Sequence, residues 1–154
     1  MDFTCSQATQ EDINEIFHLV IRVFNKFVAP NYIPEGNEEF YKYLDKTDIS
    51  KRLTQNHFIL LCKHDEKIVG LIEIRNFNHI SLLFVLETYQ GKGIAKELLK
   101  KAIEICKSHN PKLKEISTNA SPNSVEIYQK LGFTIMKDEQ VISGIRFTPM
   151  ALTF

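Results

Sequence analysis

The spacing of apolar residues divides the chain into helices and strands. Apolar residues at three- and four-residue steps, the period of a helical face, predict helices at 13–27, 37–46, 49–54, 94–107 and 121–131. Short apolar or alternating runs between turn residues predict strands at 3–8, 58–63, 68–75, 80–86, 115–119, 134–140 and 145–152. Within the strand at 68–75, Gly70 indicates a bulge or a close approach of another element.

Turn and capping residues predict where several of these elements begin. Thr9, followed three residues later by Asp12, resembles the capped start of the first long helix. Two prolines end that helix and open a loop at 29–36. Asp48 is the predicted cap of the third helix, and Pro122 is suited to the first turn of the last one.

The centre of the sequence combines a buried strand, a glycine-bearing turn and an amphipathic helix. The apolar run at 80–86 is followed by Gly91 and Gly93, and the helical period starts directly after them. The first N–H groups of a helix lack partners within it and carry partial positive charge. Glycines let an anion approach that backbone, and Lys92 and Lys96 add positive charge. The segment therefore predicts an anion-binding turn.

Three phosphate-binding patterns compete with an ordinary tight turn at this position. The Walker pattern fails because no Ser or Thr follows the lysine, and the dinucleotide pattern lacks its third glycine. The segment from Gln90 to Ala95 reads QGKGIA and resembles the Q/R-x-x-G-x-G/A pyrophosphate loop of the GNAT-type N-acetyltransferases. Taken alone, six residues do not separate this reading from a turn whose glycines only permit a corner.

A second motif strengthens the resemblance to the GNAT family. The segment 119–133 ends in Tyr128-Gln-Lys-Leu-Gly-Phe133, which is similar to the family's Y-x-K-x-G-F signature. On its own this ending would place Tyr128 in the core of an ordinary amphipathic helix. With both motifs in order, the resemblance implies one N-acetyltransferase domain over 1–154. It also implies an α/β fold with a mixed, largely antiparallel sheet, flanked by helices and splayed at the acetyl-CoA site.

The resemblance also assigns roles to individual residues. The pantetheine arm of acetyl-CoA would pair with the backbone of Leu83, Phe84 and Val85. The pyrophosphate would bind backbone N–H groups of Gly91, Lys92, Gly93, Ile94, Ala95 and Lys96. Tyr128 would protonate the departing thiolate, because a phenol has a labile proton within reach.

One family contact departs from the pattern in this chain. Many members carry an Asn seven residues before the tyrosine, where it contacts the cofactor. Here that position is Ser121, with Asn119 and Asn123 on either side. A hydroxyl can replace the amide, so Ser121 and Asn123 are the predicted contacts.

The general base that removes the amine proton is the least defined part of the predicted site. Glu73 ranks first, because strand alternation places it on the face opposite Ile72 and Ile74. Glu87 ranks second, and His79, which could titrate near neutral pH, ranks third. A solvent-exposed surface acid explains Glu73 equally well at this stage.

Composition narrows the remaining classes of function. Nineteen basic and nineteen acidic residues balance, which gives no reason to expect a nucleic acid or a membrane as a partner. The three cysteines are far apart in sequence, with no metal-ligand spacing and no disulfide framework. Without a leader-like start, a cytoplasmic location is expected, and a homodimer is one possible assembly.

These observations lead to one main functional prediction and a rival. The chain is predicted to transfer the acetyl group of acetyl-CoA to a primary amine by direct attack in a ternary complex, without a metal. The alternative is a non-catalytic acyl-CoA-binding module or sensor on the same fold. Segment 29–48 combines aromatic and acidic residues, which suits a cationic small molecule or a peptide amine, although a solvated helix face has the same composition.

Overall fold

The computed structural model describes residues 2–154. The helices are α1 (Ile13–Phe27), α2 (Pro34–Tyr43), α3 (Lys46–Arg52), α4 (Ile94–His109) and α5 (Val125–Lys130). The strands are β1 (Thr4–Gln7), β2 (His57–His64), β3 (Lys67–Arg75), β4 (His79–Val85), β5 (Glu115–Ala120), β6 (Thr134–Ile135), β7 (Gln140–Ile142) and β8 (Ile145–Thr153). No helix in this part of the chain has the length and apolar character to cross a membrane.

The strands form one mixed sheet. Its order is β1-β2-β3-β4-β5-β8-β6, and β7 pairs with β8. Within the described residues β4 and β5 form the parallel pair, and all other neighbours are antiparallel. This arrangement confirms the predicted mixed, largely antiparallel sheet.

Helices cover the two faces of the sheet differently. Gly70 on β3 lies beneath the start of α4, where a Cβ would be only 2.9 Å from Cγ2 of Ile94. The predicted close approach at Gly70 is therefore confirmed. On the opposite face, Tyr43 of α2 and Arg52 of α3 contact Glu73 of β3. The first of these is the α4 face of the sheet, and the second is its Glu73 face.

The core is built from apolar faces that the sequence pattern predicted. In α1, residues at three- and four-residue steps are buried, namely Ile13, Ile16, Leu19, Val20, Val23 and Phe24. The central strands β2 and β3 are buried on both faces over most of their length. Each fully buried aliphatic or aromatic side chain contributes roughly 1.5–3 kcal/mol, so this face holds α1 on the sheet.

The short helices differ from the sequence prediction at their starts. Helix α2 begins at Pro34 rather than 37, because a proline fits the first helical position, where its missing N–H is not needed. Helix α3 is capped by Asp45 instead of Asp48. Oδ1 of Asp45 accepts hydrogen bonds from the N–H groups of Thr47 (2.9 Å) and Asp48 (3.3 Å).

The last part of the chain also differs from the prediction. Helix α5 begins at Val125, because residues 121–124 form a turn closed by a hydrogen bond from Ser124 N–H to the Ser121 carbonyl at 2.9 Å. The predicted final hairpin at 134–140 and 145–152 is divided. A long β8 pairs with β5 on one side, and the short β6 and β7 lie along its other side.

Two glycines join α2 to the turn between β7 and β8. A Cβ on Gly36 would lie 2.1 Å from the carbonyl oxygen of Gly144, and a Cβ on Gly144 would lie 2.5 Å from the Gly36 nitrogen. Arg146 donates to the Asn31 carbonyl at 3.3 Å in the same region. The segment between α1 and α2 and the start of α2 are therefore in contact with the C-terminal strands.

Candidate active site

A gap between β4 and β5 is the main irregularity of the sheet. The two strands pair only at His79 with Ser117 and at Ile80 with Thr118. Beyond these pairs both strands continue but separate from each other. The Thr118 hydroxyl donates to the Ile80 carbonyl at 3.2 Å. This bond lies at the closed end of the gap, which is its apex. The splayed strands that the sequence reasoning predicted are thus present.

The backbone of β4 presents alternate residues to this gap. Leu86 N–H donates to the Val69 carbonyl at 2.9 Å, which makes Val85 a non-hydrogen-bonded partner of β3. By alternation, the backbone groups of Val85 and Leu83 point into the gap, whereas those of Phe84 belong to the ladder with β3. Leu83 and Val85 therefore have the backbone orientation that the predicted pantetheine pairing requires, whereas the register assigns the backbone of Phe84 to the ladder with β3. The pairing role itself stays a prediction.

The glutamine of the first motif connects the strand to the glycine turn. Nε2 of Gln90 donates to the Val85 carbonyl at 3.0 Å. The N–H of Val85 and both backbone groups of Leu83 remain directed into the gap.

The glycine turn has the open backbone that an anion requires. Gly91 and Gly93 have φ of 76° and 85°, the left-handed region that favours glycine. No atom lies within 4 Å of the position of a Cβ at either residue. Gly93 is the N-cap of α4, and its carbonyl accepts from Glu97 N–H at 3.0 Å. The space beside both glycines at the start of α4 is therefore open.

The side chains around this turn have two functions. Lys92 and Lys96 are exposed and add positive charge at the start of α4. Ile94 is buried against β3, and Ala95 is half-buried beside it. The first turn of α4 is thus held against the sheet by Ile94, while the exposed side of the glycine turn is positively charged.

Tyr128 lies at the apex of the gap. Its side chain is buried, and burial raises its pKa to about 12, while a side-chain hydrogen bond with Thr118 acts in the opposite direction. The ring packs edge-on against Phe133 with centroids 5.1 Å apart. The phenol is therefore protonated at neutral pH and lies beside the residue that fastens β5 to β4.

Ser121 and Asn123 lie in the turn before α5 and contact each other. The Ser121 hydroxyl donates to Oδ1 of Asn123 at 2.8 Å and lies 2.9 Å from the Ser124 hydroxyl. Ser121 is half-buried and Asn123 is exposed. Both belong to the loop that follows the free end of β5.

Glu73 is in a buried ion pair. Its side chain has no exposed surface. Arg52 donates from Nε to Oε2 at 2.8 Å and from Nη2 to Oε1 at 3.3 Å, and the Tyr43 hydroxyl donates to Oε1 at 3.0 Å. The predicted placement on the face away from Ile72 and Ile74 is correct, but the alternative of an exposed surface acid is wrong.

Sequence reasoning missed both partners of Glu73. Arg52 also donates to the Tyr43 carbonyl at 2.7 Å, and its guanidinium lies 3.7 Å from the centroid of the Tyr43 ring. One signal was available, because Arg52 falls three residues after the buried Ile49 on the inner side of α3. A charged residue on such a face needs a buried partner.

Tyr43 links this ion pair to β4. Burial is the main cause that raises its pKa to about 12, and the charge of Glu73 acts in the same direction. A side-chain hydrogen bond with Ser81 opposes this shift. Ser81 is the extra residue of β4 at the register shift between Glu73 and Ile74. The half-buried Tyr43 hydroxyl therefore lies next to the apex of the gap.

The other two candidate bases have different surroundings. His79 Nδ1 lies 2.8 Å from the Ser117 hydroxyl, and burial, with a smaller effect of Arg75, lowers the His79 pKa to about 4. Glu87 is half-exposed and pairs with Lys26 of α1. His79 is thus a neutral imidazole, whereas Glu87 is a surface acid with a cationic partner.

The groups around the apex divide between the two faces of the sheet. Ser117 and Thr118 are consecutive in β5, so their side chains point to opposite faces. Ser117 bonds to His79, which is opposite Arg75 and shares its face with Glu73. Tyr128 reaches Thr118 from the α4 face. Tyr128 and Glu73 therefore approach the apex from opposite faces.

An open cleft lies on the Glu73 face beside β5. It has a volume of about 550 Å³, and its lining includes His79, Ser117, Asn119, Lys112 and Met136. The cleft lies beside the paired ends of β4 and β5 and extends to residues 110–114, which connect α4 to β5, so most of it lies away from the glycine turn.

Comparison with known proteins identifies the family. Residues 28–154 match the family model described as an acetyltransferase (GNAT) domain. The chain belongs to the GNAT acetyltransferase family. A curated relative, an uncharacterized N-acetyltransferase of Methanocaldococcus jannaschii, is 25% identical over 92% of this chain and 64% of the relative. The chain thus spans less than two thirds of that protein.

Solved structures agree with this GNAT assignment at the level of the fold. A GCN5-related N-acetyltransferase from Rhodopseudomonas palustris superposes with a TM-score of 0.85 and 18% identity, covering 100% of this chain and 97% of that one. The PaiA N-acetyltransferase of Thermoplasma acidophilum, solved in complex with coenzyme A, gives 0.83 and 21% identity, with 100% of both chains covered. The acetyltransferase fold is therefore shared over the whole described chain.

Proposed function

We propose that this GNAT protein transfers the acetyl group of acetyl-CoA to a primary amine by direct attack in a ternary complex. The observation that carries the proposal is the arrangement along one gap. Its mouth has an open, cationic glycine turn, its side has unpaired β4 backbone, and its apex has a protonated phenol. A thioester bound along this gap would place its sulfur near Tyr128.

The proposed acetyl-CoA site follows from the donors described above. The pyrophosphate would accept hydrogen bonds from N–H groups between Gly91 and Lys96, with the positive end of α4 behind them. The pantetheine amides would pair with Leu83 and Val85 as an added strand. Ser121 and Asn123 would contact the arm from the opposite side of the gap.

The proposed reaction forms one bond and breaks one. The neutral amine nitrogen attacks the thioester carbonyl carbon, and the C–S bond breaks as the tetrahedral intermediate collapses. Tyr128 gives its proton to the departing thiolate, and its phenolate regains a proton from solvent. Much of the rate would come from holding the amine close to the carbonyl.

We assign the base to Glu73 acting through Tyr43. Glu73 has no exposed surface, and Arg52 and Tyr43 occupy its oxygens, so the amine does not contact it directly. Tyr43 is half-buried and already donates to Glu73. As the Tyr43 oxygen accepts the amine proton, its own proton would pass to Glu73. His79, Glu87 and a water molecule are the competing acceptors.

The acceptor is proposed to enter from the Glu73 face, which leaves Tyr128 on the opposite face for the thiolate. Segment 29–48 includes Tyr43, which contacts Glu73 on this face, and it carries the acids and aromatics that suit a cationic amine. Polyamines, amino sugars and peptides with free N-termini form the panel that samples these classes. The test is release of free thiol from acetyl-CoA in the presence of each amine.

The same assay separates an enzyme from a binding module. An enzyme releases thiol only when a suitable amine is present and saturates with that amine. A non-catalytic acyl-CoA-binding module would bind CoA in calorimetry and release no thiol with any member of the panel.

A further inference from the structure

Two cysteines that are far apart in sequence face each other in the sheet. Cys5 of β1 and Cys62 of β2 are directly opposite in the antiparallel register. The N–H of Ala8 donates to the Ile59 carbonyl at 2.8 Å, which fixes Cys5 and Cys62 as a non-hydrogen-bonded pair. In such pairs the Cα atoms are about 4.5 Å apart and the side chains are closest. This separation lies within the range of disulfides.

We infer that Cys5 and Cys62 form an oxidative modification site, a dithiol that closes to a reversible cross-strand disulfide. The oxidant would be a small-molecule disulfide. The Cys5 thiolate attacks it and releases one small thiol, leaving a mixed disulfide on Cys5. The Cys62 thiolate then attacks the Cys5 sulfur and releases the second small thiol. The two cysteine protons end on the released thiols, so the exchange balances.

The surroundings of the two sulfurs determine the order of these steps. Cys5 is half-buried on the edge strand, whereas Cys62 has no exposed surface. Burial, together with the neighbouring Cys5 thiol, raises the pKa of Cys62 to about 12. Cys62 is therefore unreactive while β1 is in place. Fraying of the four-residue edge strand exposes it to solvent, where its pKa returns toward the ordinary value.

The disulfide would fix the edge of the sheet. It would join β1 to β2 across roughly 60 residues that include α1, α2 and α3, a loop of the size for which cross-links restrict the unfolded chain strongly. A typical disulfide should raise the Tm of a chain of this length by roughly 5–15 °C. Strands β3 and β4 separate this pair from the gap between β4 and β5, so the test does not depend on catalytic activity.

The test uses the full chain incubated with oxidised glutathione, followed by intact-mass measurement and thermal unfolding. The expected product has lost two hydrogen atoms, carries no glutathione and melts at the higher temperature. Dithiothreitol should reverse both changes. Peptide mapping should find Cys5 joined to Cys62, with Cys106 alkylated as a free thiol.

Matched variants separate this proposal from general oxidation. Cys106→Ser, which removes the other buried thiol, should still close the disulfide. Cys5→Ala, at a half-buried position of the edge strand β1, should abolish both the mass change and the shift in Tm. A protein that retains glutathione on Cys5 without closing, resists the oxidant, or pairs Cys106 instead would overturn the inference.

Discussion

Thr118 donates a hydrogen bond of 3.2 Å to the carbonyl of Ile80, and this contact lies where the parallel strands β4 and β5 stop pairing. It holds the strands together at one end and leaves them separate at the other. The side chain of the same threonine also lowers the pKa of Tyr128 against the effect of burial, which places the phenol near the closed end of the gap. Tyr128 is thus positioned by the element that forms the gap.

Replacing Tyr128 with phenylalanine should remove the proton donor while preserving the packing against Phe133. We expect the maximal rate to fall roughly 10²-fold or more, as for other positioned acids, with little change in CoA affinity. Tyr41→Phe is the control for the maximal rate at saturating amine, since the Tyr41 hydroxyl donates to Oδ1 of Asn25 on the surface at 2.6 Å. An unchanged rate in the Tyr128→Phe protein, when chemistry limits turnover, would assign Tyr128 to packing.

Replacing Gly93 with valine should severely weaken CoA binding. The branched side chain would fill the open space in front of the α4 N-terminus and is strained at a φ of 85°. Gly132→Ala introduces a similar strain at a φ of 101°, away from the turn. Calorimetry should show a loss of affinity only for Gly93→Val. Equal affinity of a folded Gly93→Val protein and the wild type would exclude this turn as the pyrophosphate site.

Variants of Glu73 and Tyr43 test the proposed proton path through pH dependence. Glu73→Gln and Tyr43→Phe should both lower kcat/KM most at neutral pH. The defect should shrink as pH rises, because more of the amine arrives deprotonated. Glu87→Gln should give no such recovery.

Stability measurements separate this role from a structural one. Glu73→Gln leaves Arg52 buried without its charge partner, and breaking a buried ion pair typically costs about 3–5 kcal/mol. Tyr43→Phe retains the pair and should cost much less. If the loss of kcat/KM among the variants is proportional to their loss of unfolding free energy and is the same at all pH values, the ion pair has a structural role. The amine proton then has another acceptor.

Replacing Gly36 with alanine should separate α2 from the β7–β8 turn. The new Cβ would overlap the Gly144 carbonyl, and the backbone on both sides leaves little room for adjustment. We expect lower thermal stability and a higher KM for the amine, with CoA affinity retained. Glu104→Ala, at an exposed position of α4 outside segment 29–48, should change neither. A Gly36→Ala protein with wild-type stability would show that this contact is not required.

His79 should make the protein less stable in mild acid. Its pKa is lowered to about 4 in the folded protein from an ordinary value of 6.5, so the unfolded chain binds the proton first. The free energy of unfolding should therefore fall as pH decreases through this interval and be insensitive to His79 at higher pH. His79→Gln should reduce that decrease. Parallel curves for His79→Gln and the wild type would contradict the assignment.

The sequence was sufficient for the elements whose signals are local. The strand, the glycine turn and α4 follow from periodicity and two glycines, and the position of Tyr128 follows from a motif at the end of α5. These features depend on residues within one or two turns of each other. The structure therefore agrees with the sequence prediction there, except that Phe84 pairs with β3.

Contacts between distant segments were not predictable from one sequence. Arg52 and Glu73 meet only because α3 packs over β3. Cys5 and Cys62 meet through strand register, which depends on pairing rather than on composition. The contact between α2 and the β7–β8 turn likewise depends on how β8 enters the sheet. In each case the partner is set by tertiary packing, which overrides local preference.

The central claim is tested most directly by the product of the reaction. The protein is incubated with acetyl-CoA carrying an isotopically labelled acetyl group and with each amine of the panel, and products are measured by mass spectrometry. We predict one labelled acetyl group on the amine nitrogen for each CoA released, and no product above background with Gly93→Val. Binding of acetyl-CoA without acetylation of any amine would contradict the proposed acetyl transfer. Equal product with Gly93→Val would contradict the proposed pyrophosphate site.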